Sequence, residues 1–288
     1  MRISNHHLSV DIAQMGAELQ SIVTPDGAEW LWQGDPQWWT GRSPLLFPVV
    51  GKSPANTVTI EGAAYPMQPH GFARRTVFEI ATEHQDRASL MLRSSAETRK
   101  SFPFEFVLSV GYRLERSTLA INVEVGNLDT RDMPFGFGFH PAFNWPLPGG
   151  AGKTHVLKLA GEAEPPYLQL DPDGLLLPET HASPFAKGVM TPEPHQFDHD
   201  ALLFASGIGS SIDFGAEGGG SVALSWSNLP NFGIWQKPGA PYLCLEPWHG
   251  MAARVGAGDA MTDRPGTVVL APSATASFEL KITFNRAG

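Results

Sequence analysis

Phe104-Glu105-Phe106-Val107-Leu108-Ser109-Val110-Gly111-Tyr112-Arg113-Leu114 is the stretch that decides the fold. Its large apolar side chains, Phe104, Phe106, Leu108, Val110, Tyr112 and Leu114, fall at every second position. That period separates one face of a β-strand from the other. Leu119, Ile121, Val123 and Val125 repeat the pattern just downstream, alternating with Ala120, Asn122 and Glu124. The intervening Glu115-Arg116-Ser117-Thr118 has turn-forming character, so the two runs read as a hairpin. Near the C-terminus Phe278, Leu280, Ile282 and Phe284 alternate with Glu279, Lys281 and Thr283. Shorter strands are expected at 77–81, 89–92, 201–205, 222–226 and 242–245. Helical periodicity is nearly absent, with one or two turns expected over 95–101. Many antiparallel strands and few helices predict an all-β chain folded as a large antiparallel β-sandwich.

Composition agrees. Hydrophobic residues make up 42% of the 288, with 17 Phe and 8 Trp, enough to build a sizeable core and argue against disorder. Thirty Gly and 25 Pro favour turns over long helices. Length alone admits two domains or one large β domain. Gly149-Gly150-Ala151-Gly152 and Gly218-Gly219-Gly220 read as loops, because strands resume on both sides, so a single domain over 1–288 is expected. The net charge of −9 and the lack of basic clusters argue against nucleic acid or an anionic membrane as partner. No window approaches the ~18 consecutive apolar residues of a membrane span. The start, Met1-Arg2-Ile3-Ser4-Asn5-His6-His7, carries no apolar signal core, and a cytoplasmic location is the expectation. The single cysteine, Cys244, excludes an internal disulfide and, within an apolar run, reads as inert.

Three segments carry the chemistry: Gln68-Pro69-His70-Gly71-Phe72-Ala73-Arg74, Phe137-Gly138-Phe139-His140-Pro141-Ala142-Phe143-Asn144, and Cys244-Leu245-Glu246-Pro247-Trp248-His249-Gly250. Each sets a His or Glu among aromatics, Gly and Pro, the composition of a rigid, partly dry pocket. Such surroundings move a Glu or His pKa toward neutrality, where proton transfer works best. Acid–base chemistry on a small polar molecule is the reading. No P-loop, dinucleotide fingerprint or G-x-S-x-G elbow is present. His195, Asp198, His199 and Asp200 crowd together but match no zinc-site spacing and bring no thiolate. Neither a metal nor a cofactor is expected.

These segments resemble the aldose 1-epimerases, or galactose mutarotases, and within them the subgroup reading His70-Gly71-Phe72-Ala73-Arg74. Gly16-Ala17-Glu18-Leu19, Leu31-Trp32-Gln33-Gly34-Asp35-Pro36, Leu46-Phe47-Pro48 leading into Gly51-Lys52, and Ile234-Trp235-Gln236-Lys237-Pro238 extend the likeness as far as Pro272. The resemblance implies a galactose mutarotase-like supersandwich whose concave face holds sugar. It implies interconversion of the α and β anomers of a hexose by ring opening, with a small sugar as partner and a monomer or homodimer as the assembly. Glu246 is then the general base on the anomeric hydroxyl and His140 the general acid toward the ring oxygen. His70 binds a hydroxyl and helps polarise that oxygen. Asp200, Arg74, Gln236 and Lys52 hold further hydroxyls. Lys52 stands where many relatives have Arg, and a point charge cannot grip two oxygens in a plane. Asn144 is expected to hold the turn before Trp145-Pro146. His140 and Glu246 are expected to face each other across the width of a pyranose ring.

Three alternatives stand beside this reading. A hexose 6-phosphate mutarotase would recruit Arg74, Lys52 and Arg42 as a phosphate clamp. A glycoside hydrolase or a polysaccharide lyase on a similar sandwich is the second, and the hydrolase would pair Glu246 with Asp200. A non-catalytic carbohydrate-binding protein would keep the aromatics and Asp200 but have no need of Glu246.

Overall fold

The Phe104–Leu114 alternation becomes the strand Phe106–Glu115, which turns at Arg116, in the left-handed region (φ 54°), and returns as Thr118–Asn127. Glu115 pairs with Thr118 and the ladder runs unbroken to Phe106 and Asn127. The C-terminal strand Thr275–Asn285 pairs along the other side of Thr118–Asn127. The computed structural model describes residues 1–286.

These strands are the middle of a nine-stranded sheet whose edges are Val189–Met190 and Glu79–Glu83. A second sheet of eight strands runs from Leu176–His181 through Asn231–Trp235 and Tyr242–His249 to Leu45–Leu46, with Ala142–Asn144 joined to its central strand. Every ladder between named strands is antiparallel. No helix exceeds a few residues among those described; the expected turns at 95–101 are a single 3₁₀ segment, Thr98–Lys100. The expected strand at 77–81 begins two residues later, at Glu79.

One core is shared by both sheets. Leu108, Val110, Ile121, Val123, Leu280 and Ile282 of the larger sheet pack with Phe137, Phe204, Phe232, Ile234, Leu243 and Leu245 of the smaller. Phe137 stacks on Phe278 with ring centroids 4.8 Å apart, and Trp226 on Phe232 at 4.9 Å. Burying such large rings contributes several kcal/mol each at ~25 cal/mol per Å² of apolar surface. The sandwich is closed by its aromatics.

The strand Tyr242–His249 positions the site. Its side chains alternate as a strand demands: Leu243 and Leu245 enter the inter-sheet core, while Tyr242, Cys244 and Trp248 belong to apolar clusters on the other face. Glu246 shares that second face. It lies mid-strand, not at the strand end that the sequence predicted, because the ladder continues past it through Pro247 and Trp248 to Phe232 and Asn231. Two glycines make room beside it. A Cβ on Gly138 would meet the Trp248 ring at 2.4 Å, and one on Gly233 at 2.6 Å. With both strand neighbours bare, the indole can lie across the sheet next to Glu246.

Candidate active site

A cavity of about 240 Å³ opens on this outer face of the eight-stranded sheet. His70, Arg74, His140 and Glu246 line it together with Lys52 and Asp200, so three separate sequence segments converge there. Trp39, Trp235 and Trp248 supply the apolar walls. At its mouth Lys52, Gly174, Asp200 and Trp235 continue into an open trough that also holds Asp171, Asp173 and Asp198. A comparably open groove of about 660 Å³ elsewhere, between Thr154 and Asn285, carries none of the expected site residues.

Glu246 and His140 form the floor. They are 1% and 7% exposed, and Nε2 of His140 stands 3.2 Å from Oε2 of Glu246. The expected ring-wide gap between them is therefore absent. Backbone register is the cause: Ala142 pairs with Cys244, and the Leu245 N–H donates to the Pro141 carbonyl, which leaves His140 across from Glu246 on the neighbouring strand. The contact is not an aligned hydrogen bond, and both Oε2 of Glu246 and Nδ1 of His140 are buried without a partner. Polar atoms so placed are costly unless a ligand satisfies them. Trp39 stacks on the His140 ring at 4.9 Å, while Trp235 and His70 present edges at 5.8 and 5.7 Å. The imidazole has little freedom.

Burial holds both groups against their charged forms. It raises Glu246 well above the ordinary carboxylate range, with the Asp200 charge adding to the rise. The Trp248 indole works the other way, although its N–H makes no aligned bond. Burial lowers His140 well below the usual imidazole value, helped by His70 and Arg74.

His70 is tied down from behind. Its backbone is left-handed (φ 64°), as is that of Gly71, whose Cβ position lies 2.1 Å from the Phe47 carbonyl oxygen. Only glycine fits there. The Gly51 N–H donates to Nδ1 of His70 at 3.2 Å, so a neutral ring carries its proton on Nε2. Burial, then Arg74, Arg264 and Arg75 in turn, push this histidine down to about 3. It is a neutral donor.

Arg74 donates through Nη2 to the Pro69 carbonyl at 3.1 Å, while its buried Nε has no partner. Asp200, also left-handed (φ 73°), accepts from the Ala201 N–H at 2.8 Å and sits exposed at the mouth. Asp tolerates this conformation better than most residues. Asn144 donates its side-chain amide to the Glu29 carbonyl at 2.9 Å and so ties its strand to the 29–30 segment, a contact outside the turn that the sequence suggested.

Gln236 does not line the cavity. Trp235 faces it, so strand alternation turns Gln236 the other way; its amide donates to the Ala240 carbonyl at 2.6 Å and is 2% exposed. Arg42 is also turned aside, donating to the Gln20 carbonyl at 2.7 Å. His195 is exposed and lies 3.2 Å from Glu193, and the 195–200 stretch gathers no three-ligand set among the described residues.

Sequence reasoning missed several contributors. Trp39, Trp235 and Trp248 were indistinguishable from core tryptophans. Arg264, 7% exposed, donates to the carbonyls of Val50, Lys52 and Met251 and to the Ser53 hydroxyl, fixing the segment from which Gly51 reaches His70. No motif marks it, and among the described residues no carboxylate pairs with it. Burial alone lowers it to about 10.

Comparison with known proteins agrees with the fold. The sequence model for the aldose 1-epimerase family matches residues 1–272. Protein LacX (plasmid) of Lactococcus lactis is 27% identical over 294 residues, covering 98% of each chain. A galactose mutarotase related enzyme from Lactobacillus acidophilus superposes with a TM-score of 0.93 at 28% identity, covering 100% of this chain and 97% of its own. A galactose mutarotase-like protein from Lactobacillus casei superposes with a TM-score of 0.91 at 28% identity, covering 99% of both.

Proposed function

This chain belongs to the aldose 1-epimerase family, and we propose that it interconverts the anomers of a free hexose, with Glu246 as general base and His140 as general acid, acting as one domain over 1–288 without a cofactor. The observation that carries the reading is the buried Glu246–His140 pair on the floor of a sugar-sized cavity with tryptophan walls. Their direct contact suits the reaction. The anomeric hydroxyl and the ring oxygen are bonded to the same carbon, so acid and base need not be a ring apart.

The two directions of shift match a pair that holds one proton between carboxyl and imidazole. Moving that proton to His140 creates carboxylate and imidazolium together and brings no net charge into the dry site. The carboxylate then takes the proton of the C1 hydroxyl while the imidazolium gives its proton to the ring oxygen. The C1–O5 bond breaks as the aldehyde forms, the C1–C2 bond rotates, and the reverse transfers close the other anomer. Each positioned proton transfer contributes ~10²–10⁴-fold. Neutral His70, with its proton on Nε2, donates to the ring oxygen or a hydroxyl. Arg74, Lys52 and Asp200 bind hydroxyls, and the tryptophans pack on the apolar face of the sugar.

The phosphate-clamp alternative loses support. Arg42 points elsewhere, and the trough beyond Lys52 carries Asp171, Asp173, Asp198 and Asp200. A pure binding protein has no use for a carboxyl and an imidazole buried with unpartnered polar atoms, at ~1–3 kcal/mol for each unsatisfied group. Polarimetry on freshly dissolved α-glucose, α-galactose and α-glucose 6-phosphate tests the reading. A free hexose should relax well above the spontaneous rate, and glucose 6-phosphate should gain little. Acceleration confined to the phosphate ester would restore the clamp, and acceleration of none would remove the enzymatic reading.

A further inference from the structure

Cys244 has no part in the proposed reaction, yet it lies on the same strand face as Glu246, two residues before it. It is fully buried behind the cavity wall, among Trp32, Ala142 and Tyr242. One donor atom each from His140, Cys244 and Glu246 lies within 4.8 Å of the others. Two of these three residues carry a buried polar atom without a partner, Nδ1 on His140 and Oε2 on Glu246. Imidazole, thiolate and carboxylate are the three ligand types of zinc sites that keep a fourth position open.

We propose that His140, Cys244 and Glu246 form a binding site for a thiophilic divalent cation of the zinc class, with its fourth position facing the sugar cavity. Ligands around tetrahedral zinc stand about 3.5 Å apart, given metal–ligand distances of about 2.0–2.3 Å. The group must close by roughly one ångström, within the reach of side-chain rotations at Cys244 and Glu246. The cation arrives through the cavity that His140 and Glu246 line, and Cys244 completes the set from behind. Thiolate character selects zinc and cadmium over magnesium and calcium. Bound there, the cation occupies the lone pairs of the proposed base and of the imidazole. Anomerisation stops. This inhibitory consequence rests on the acid–base reading above; the binding itself does not.

Cadmium titration of the full chain, followed by thiolate-to-cadmium ultraviolet absorption, tests the binding. Zinc titration followed by polarimetry tests the consequence. The wild type should take up one cadmium ion with a new absorption band and lose activity with zinc, and chelator should restore it. Cys244→Ser should lack the band and raise the zinc concentration for half-inhibition at least tenfold, with metal-free kcat unchanged. Cys244→Ala, checked by near-ultraviolet circular dichroism, covers a folding defect in the serine variant. Magnesium should neither bind nor inhibit. Zinc inhibition at the same concentration in wild type and both variants would overturn the site, as would a wild type without the cadmium band. A Cys244-dependent cadmium band in a protein that keeps full activity with cadmium bound would confirm the site and remove the acid–base reading instead.

Discussion

Gly51 and His70 hold each other twice. The Gly51 N–H donates to Nδ1 of the His70 ring at 3.2 Å, and the His70 backbone N–H donates to the Gly51 carbonyl at 2.9 Å. One contact fixes the tautomer and the other fixes the left-handed backbone that aims the ring into the cavity. A side chain in that backbone region costs of order 1 kcal/mol, sustained only where the surroundings over-determine it.

His70 should therefore stay neutral, with its proton on Nε2, across the working pH range, as ¹⁵N NMR of labelled histidine would record. The same shift sets a stability trend. Between about pH 3 and the unfolded value of 6.5 the unfolded chain binds the proton and the folded one does not, so stability falls as pH falls through this window. From pH 7 to pH 5 the loss through His70 alone should be up to about 2 kcal/mol. Glu246 works in the opposite sense, because its raised pKa makes the folded chain the better proton binder above the unfolded carboxylate value. Comparing denaturation of wild type and His70→Gln at both pH values isolates the histidine, and the variant should show the smaller acid-induced loss.

Arg264 is the support beneath that arrangement. Arg264→Met leaves the buried Val50 and Met251 carbonyls without their donor, at ~1–3 kcal/mol for each group left unsatisfied. Urea denaturation should report a loss of several kcal/mol, with Arg264→Lys recovering part of it. In whatever fraction stays folded, kcat should fall, because the 50–53 segment no longer holds Gly51 against His70.

The cavity and its surroundings should separate in kinetics. Arg74→Ala and Asp200→Asn should raise KM at least as much as they lower kcat, as expected of groups that bind hydroxyls in ground state and transition state alike. Gln236→Ala should leave KM close to wild type and lower stability, because its amide serves the Ala240 carbonyl behind the wall. A large KM effect in Gln236→Ala with unchanged stability would contradict this placement.

How much of this was legible in the sequence depended on the range of the interaction. Phe106–Glu115 and Thr118–Asn127 were readable because alternation and turn chemistry are local. The three segments holding His70, His140 and Glu246 were recognisable from composition and family likeness. Their mutual distance was not. Whether His140 touches Glu246 depends on the register of Ala142 against Cys244, about a hundred residues apart in the chain. Gln236 was misplaced by one step of the same alternation that positions Trp235. Arg264 left no trace, because an arginine that donates to backbone carbonyls needs no partner side chain and hence no motif.

The measurement that tests the central claim most directly is the kcat of Glu246→Gln in polarimetric anomerisation of α-glucose or α-galactose, whichever the wild type turns over faster. The substitution keeps size and hydrogen-bonding reach but removes the base. kcat should fall by about 10² or more, ~2.7 kcal/mol of barrier, with KM changed far less. His140→Asn should fall similarly. The double variant should fall short of the product of the two single losses, since the residues share one proton relay. A Glu246→Gln protein that anomerises sugar at the wild-type rate would contradict the assignment of Glu246 as the base.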